Sequence, residues 1–79
     1  MSTLAAKIEP LAMKVTFDDH SFTAHLNDGR AISVPYAFSS RLAEATPEQR
    51  AEYRLIGHGR GIHWPQIDED LSVESLLRG

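Results

Sequence analysis

The chain has 79 residues, 42% of them hydrophobic and 24% charged, with a formal net charge of -3 and no cysteine. That length makes one domain with a thin core, and the composition is that of a globular chain rather than a disordered one. Eleven acidic against eight basic residues oppose direct binding to a phosphate backbone, and the lack of cysteine excludes disulfides, thiolate catalysis and cysteine-ligated zinc.

Residues 1–13 carry Leu4, Ala5, Ile8 and Leu11 at near-helical spacing, but Pro10 interrupts it, so a short N-terminal arm is expected before a single domain over residues 14–79. Glu9 and Pro10 also break any signal-peptide core, and no apolar run approaches the ~20 residues that cross a bilayer. A cytoplasmic protein without a membrane partner is expected. Val15 and Phe17, then Phe22, Ala24 and Leu26, then Ile32 and Val34, alternate with polar residues. This predicts strands over residues 14–17, 21–26 and 31–34, joined by Asp18-Asp19-His20-Ser21 and by Asn27-Asp28-Gly29-Arg30, whose Asp-Gly pair suits a tight hairpin. Pro35 closes the third strand, giving an antiparallel meander with one apolar face.

Phe38, Leu42 and Ala45 recur three and four apart, which predicts a helix over residues 36–45 covering that face. Thr46, Pro47 and Gln49 read as a cap, a first helical residue and the return arm of a capping box. Residues 53–56 either end this second helix or begin a strand. The strand is favoured, because Gly57, Gly59 and Gly61 form a hinge leading into Gly61-Ile62-His63-Trp64, which alternates as a half-buried strand does. Pro65 stops that strand. Asp68, Glu69 and Asp70 then read as a turn and cap, with Ser72 as N-cap of a short helix from Val73 that ends at Arg78 and Gly79. The fold class is α+β: a three-stranded antiparallel meander plus a second hairpin, covered by short helices, with a C-terminal helical turn.

The runs Val15-Thr16-Phe17-Asp18-Asp19, Leu26-Asn27-Asp28-Gly29-Arg30 and Ile32-Ser33-Val34-Pro35 resemble the opening of a small bacterial family, domain of unknown function 2442. Ala45-Thr46-Pro47-Glu48-Gln49-Arg50, Gly61-Ile62-His63-Trp64-Pro65 and Asp68-Glu69-Asp70-Leu71-Ser72-Val73 extend the resemblance to about residues 14–77. The resemblance implies a small α+β domain with no catalytic residues to carry over. It also implies an antitoxin-like pairing, since such domains occur beside a second small gene or fused to a helix-turn-helix. Its motif positions carry over as structure: Trp64, Pro65 and Leu71 as packing, Gly61 within the hinge, Asp68 to Asp70 as turn and cap.

Side-chain chemistry points away from catalysis. His58 and His63 near Asp68 and Asp70 have no metal-binding spacing, and His63 faces away from Ile62 and Trp64. His20 and His25 belong to a turn and a polar strand face. Ser39, Ser40, Ser72 and Ser75 lack a nucleophile elbow, and the glycine triplet lacks the lysine and helix of a phosphate loop. No metal or cofactor is expected, and the chain is expected not to be an enzyme.

Asp68, Glu69, Asp70 and Glu74, with Glu44, Glu48 and Glu52 spaced four apart, instead suggest an acidic surface. The plainer reading is capping and solvated charge. The sharper one is a mimic of a nucleic-acid backbone that occupies the basic channel of a protein partner, such as a nucleic-acid-binding protein or CRISPR effector. The expected function is therefore a non-enzymatic protein-binding inhibitor, anti-CRISPR-like or antitoxin-like. The alternative is a regulatory or scaffolding domain that binds through Trp64, Tyr53 or an uncovered sheet edge, as a monomer or a homodimer.

Overall fold

A computed structural model describes residues 9–78. Residues 1–8 of the expected arm, and Gly79, lie outside the described residues. The fold is α+β, with two three-stranded antiparallel sheets ordered β1-β2-β3 and β4-β5-β6. Strand β1 (Ala12–Phe17) begins two residues before the alternation suggested, because Ala12 is buried and pairs with Leu26. Strands β2 (Ser21–Leu26) and β3 (Ala31–Pro35) follow as the meander expected. Their turns close as the residues dictate. The Asp18 carboxylate accepts from the N–H groups of His20 and Ser21 at 2.8 and 2.7 Å, which hold its pKa below the ordinary carboxylate value.

The helix expected over residues 36–45 is broken. Tyr36–Phe38 forms one 3-10 turn, Ser39 is extended at φ −131° and ψ 121°, and α1 (Ser40–Glu44) starts afresh. Ser39 ends the first turn because its hydroxyl is used as a cap, accepting from Leu42 N–H at 3.3 Å. The interruption rotates Phe38 out of the helical stripe, so it is 50% exposed instead of covering the sheet. Leu42 and Ala45 do reach the core.

Helix α2 (Pro47–Ala51) carries the expected capping box, with Thr46 and Gln49 satisfying each other's backbone N–H groups at 3.1 and 3.0 Å. Thr46→Ala should lower unfolding stability by about 1 kcal/mol in urea titrations. Residues 54–56 do form a strand, β4 (Arg54–Ile56), paired with β5 (Gly61–Trp64) across a 3-10 turn at Gly57–Gly59.

The second sheet has a strand that the sequence did not reveal. Glu69–Ser72 is β6, antiparallel to β5, with Leu71 opposite Ile62 and Asp70 opposite His63. Asp68, Glu69 and Asp70 are thus not a single turn-and-cap unit. Asp68 alone holds the turn, at a left-handed φ of 54° that aspartate tolerates, and the other two belong to the strand. Pro65 is exposed and ends β5 instead of packing. Ser72 caps α3 (Val73–Arg78) as expected, accepting from Ser75 N–H at 3.1 Å.

The core lies between the sheets and is centred on Trp64, which is fully buried. Its ring meets Phe22 edge-on at 5.4 Å, and its indole N–H donates to Arg50 O at 2.9 Å. One side chain thereby joins β5, β2 and α2. Arg50 extends the same junction: its guanidinium lies 3.9 Å from the centre of the Tyr36 ring and donates to the carbonyls of Leu42 and Ala43.

Candidate functional site

The seven carboxylates nominated from sequence do not gather into one free acidic face. Asp68 is 91% exposed at its side chain and sits 3.7 Å from Arg41, whose guanidinium also donates to the Ile67 and Asp68 carbonyls. Glu69 turns the other way. One oxygen accepts from Asp70 N–H at 3.1 Å and the other from the Ser39 hydroxyl. Asp70 accepts from His63 Nδ1 at 2.5 Å, a cross-strand pair on the outer face. Glu74 pairs with Arg78 at 2.9 Å, one helical turn away. Glu44, Glu48 and Glu52 are exposed, and among the described residues they form no ion pair.

Two of the seven, Glu69 and Asp70, lie on the edge strand β6. The bond from Val73 N–H to Arg60 O at 2.8 Å sets the phase of the β5-β6 ladder, so that Asp70 and Ser72 direct their backbone groups outward. Asp70 N–H is taken by Glu69, the Ser72 carbonyl by the Ser75 hydroxyl at 2.8 Å, and the Asp68 carbonyl by Arg41. Of the outward groups of Asp70 and Ser72, this leaves the Asp70 carbonyl and the Ser72 N–H for another strand. At the opposite end of the sheet, β4 lies against β1. There the outward Val15 N–H donates to the Tyr53 hydroxyl at 3.0 Å, and Tyr53 stacks at a tilt on Phe17 with ring centres 5.7 Å apart. Tyr53 and Trp64 therefore tie the two sheets together, Trp64 fully buried and Tyr53 half-buried.

Strand β3 differs. Leu26 N–H donates to Arg30 O at 2.8 Å and Tyr36 N–H to His20 O at 3.0 Å, in the same register that pairs Ser21 with Pro35. Hydrogen-bonded pairs must then fall at Ala24 with Ile32 and at Phe22 with Val34. Ala31, Ser33 and Pro35 direct their backbone groups away from β2, and all three residues are exposed. Among the described residues, no strand and no side-chain cap meets these groups. Beside them runs a groove of about 230 Å³ lined by Ile32, Val34, Pro35, Phe38 and Leu76, with Ser33 at its rim. The exposed ring of Phe38 therefore borders the open edge. The expected meander places β3 outermost, but whether its edge stays open depends on how the two sheets meet.

A larger cleft of about 540 Å³ lies between Glu9, Pro10, Arg60 and α3. Its charges satisfy each other: Glu9 accepts from Arg60 at 2.6 and 3.1 Å, and the guanidinium holds the Glu9 pKa below its ordinary value. His58 stands at φ 59° in the turn after β4, apart from the His63–Asp70 pair. Among the described residues no group of three or more His, Asp or Glu side chains converges as metal ligands would. No helix is long and apolar enough to cross a membrane.

A search of curated proteins finds no match to this chain. Two solved structures are similar. A crystal structure of a protein of unknown function from Rhodospirillum rubrum is 30% identical, with a TM-score of 0.82 over 91% of this chain and 89% of that one. The solution NMR structure of an uncharacterized protein from Chromobacterium violaceum is 23% identical, with a TM-score of 0.76 over 95% of this chain and 70% of that one, a likeness of fold alone. The family described as "Protein of unknown function (DUF2442)" matches residues 12–79, from the start of β1 through α3. By that match this chain belongs to the DUF2442 family.

Proposed function

We propose that this chain is a non-enzymatic, cytoplasmic protein-binding module that engages its partner by strand addition along β3. The observation that carries the reading is the outward backbone of Ala31, Ser33 and Pro35 beside the apolar groove at Phe38. Strand addition uses such main-chain groups for affinity and adjacent pockets for selectivity. Regulatory or scaffolding roles fit this mode directly. An antitoxin-like or anti-CRISPR-like inhibitor fits it as well, since holding a partner's strand can hold that partner inactive.

The acidic-surface version has narrower support. Its one favourable observation is that Glu44, Glu48 and Glu52 remain exposed without ion pairs among the described residues, in a chain of net charge -3. Those three acids would contact a basic protein partner through a surface separate from β3, mimicking DNA only in charge.

Two variants separate the readings. Ser33→Pro removes the central outward N–H of β3 and spares the β2-β3 backbone ladder, losing across it only the bond between the Ser33 and Thr23 hydroxyls at 2.8 Å. The triple reversal Glu44→Lys, Glu48→Lys and Glu52→Lys reverses the free acids. Retention of partner proteins from a host lysate should fall at least about tenfold with Ser33→Pro and persist in salt. Loss with the triple reversal alone, steep in ionic strength, would instead support the acidic surface. If neither variant changes retention, both surfaces are excluded as the contact.

A further inference from the structure

We infer that a second copy of this chain occupies the β3 edge, joining two meanders into one continuous sheet about a two-fold axis at Ser33. The inference rests on the edge reading above and names the occupant. Three observations lead to it.

The edge is self-complementary. With the axis at Ser33, the Ser33 N–H of each copy meets the Ser33 carbonyl of the other, and each Ala31 N–H meets the other copy's Pro35 carbonyl, giving about four backbone hydrogen bonds. Proline lacks only the N–H, and as an acceptor it loses nothing. The same register sets Ile32 opposite Val34 of the second copy. The core-facing row thus continues across the junction, and the groove at Phe38 is covered from the other side.

Charge also favours this contact. Residues 31–39 contain no Asp, Glu, Lys, Arg or His, in a chain whose net charge is -3. Two like-charged copies can meet along this neutral strip without setting like charges opposite each other, which a two-fold contact requires of any patch. A partner recruited by charge would find nothing to recognise there.

Among the described residues the remaining edges are less open. β6 is plugged by Glu69, Arg41 and Ser75, while β1 and β4 face each other around Tyr53. Among the described residues β3 is the most open edge, and pairing through one such edge closes as a dimer, whereas a second equally open edge would propagate.

The test is sedimentation equilibrium of the full chain over a range of concentrations, alongside Ser33→Pro and Phe38→Glu, with circular dichroism to establish folding. The expected result is a dimer whose dissociation constant rises at least about tenfold in each variant. Phe38 is exposed and lies off the strand ladder, so Phe38→Glu keeps the test decisive if Ser33→Pro does not fold. A dimer unaffected by the folded variants would place the interface elsewhere and overturn the inference. A wild-type chain that is monomeric throughout would also overturn it. If that monomer still loses partner retention on Ser33→Pro, the edge itself survives as the site for another protein. If it does not, the edge reading falls as well.

Discussion

Trp64→Ala should lower unfolding stability by about 3–5 kcal/mol in urea or thermal titrations. A chain of this length has on the order of 4–12 kcal/mol in total, so the loss takes from about a quarter to all of it. The size follows from what the ring joins. It is fully buried, meets Phe22 edge-on and donates its N–H to the Arg50 carbonyl. Removing it opens a void between the sheets and leaves the carbonyl at the end of α2 without its donor. Trp64→Phe should cost less, since it keeps an aromatic ring against Phe22 and loses the N–H bond and part of the volume. Equal losses for the two variants would mean that the hydrogen bond, not the ring, governs the junction.

Gly59→Ala should be the most damaging glycine replacement, at roughly 2–4 kcal/mol from backbone strain together with overlap. Gly59 stands at φ 100°, and an added Cβ would lie 2.5 Å from the Ala12 carbonyl oxygen and 3.1 Å from its nitrogen. Those are backbone atoms at the start of β1, which cannot swing aside as a side-chain tip can. Gly29→Ala provides the internal comparison. It has a similar φ of 92° with nothing within 4 Å of the added atom, so it should show the conformational cost alone, about 1–2 kcal/mol. The difference between the two, read from urea midpoints at unchanged slope, measures the contact between the Gly57–Gly59 turn and β1. A Gly59→Ala variant no less stable than Gly29→Ala would show that β1 yields there at little cost.

Much of the architecture was legible because local chemistry and tertiary packing agree in it. Alternation located the meander, the Asp28-Gly29 pair located its second turn, and Thr46 with Gln49 fixed the start of α2. Two features were hidden for physical reasons. Ser39 interrupts a stripe that looks helical by spacing, because a serine hydroxyl can serve either inside a helix or as the cap of a new one. Its bonds to Leu42 N–H and to Glu69 accompany the cap here. β6 was hidden because Glu69, Asp70 and Ser72 are poor strand formers when judged singly. They form a strand here through Leu71 packing opposite Ile62 and through Asp70 pairing with His63.

The same strand explains why the acidic run is not one free surface. Carboxylates clustered in sequence suggest a charged surface, but on β6 they divide between opposite sides and bind Ser39, His63 and their own backbone. Of these, Glu69 caps an edge N–H of β6. The surface we propose for binding lies on β3, whose Ala31-Ile32-Ser33-Val34-Pro35 is uncharged.

Residue-resolved amide exchange of the full chain across a concentration series tests most directly whether β3 is the contacting edge. The Ala31 and Ser33 amides should exchange quickly in dilute protein and gain protection as concentration rises, or as a retained partner is added, while the Asp70 and Val15 amides stay protected throughout. If Ala31 and Ser33 exchange equally fast at every concentration and with partner bound, β3 is not where this chain meets another.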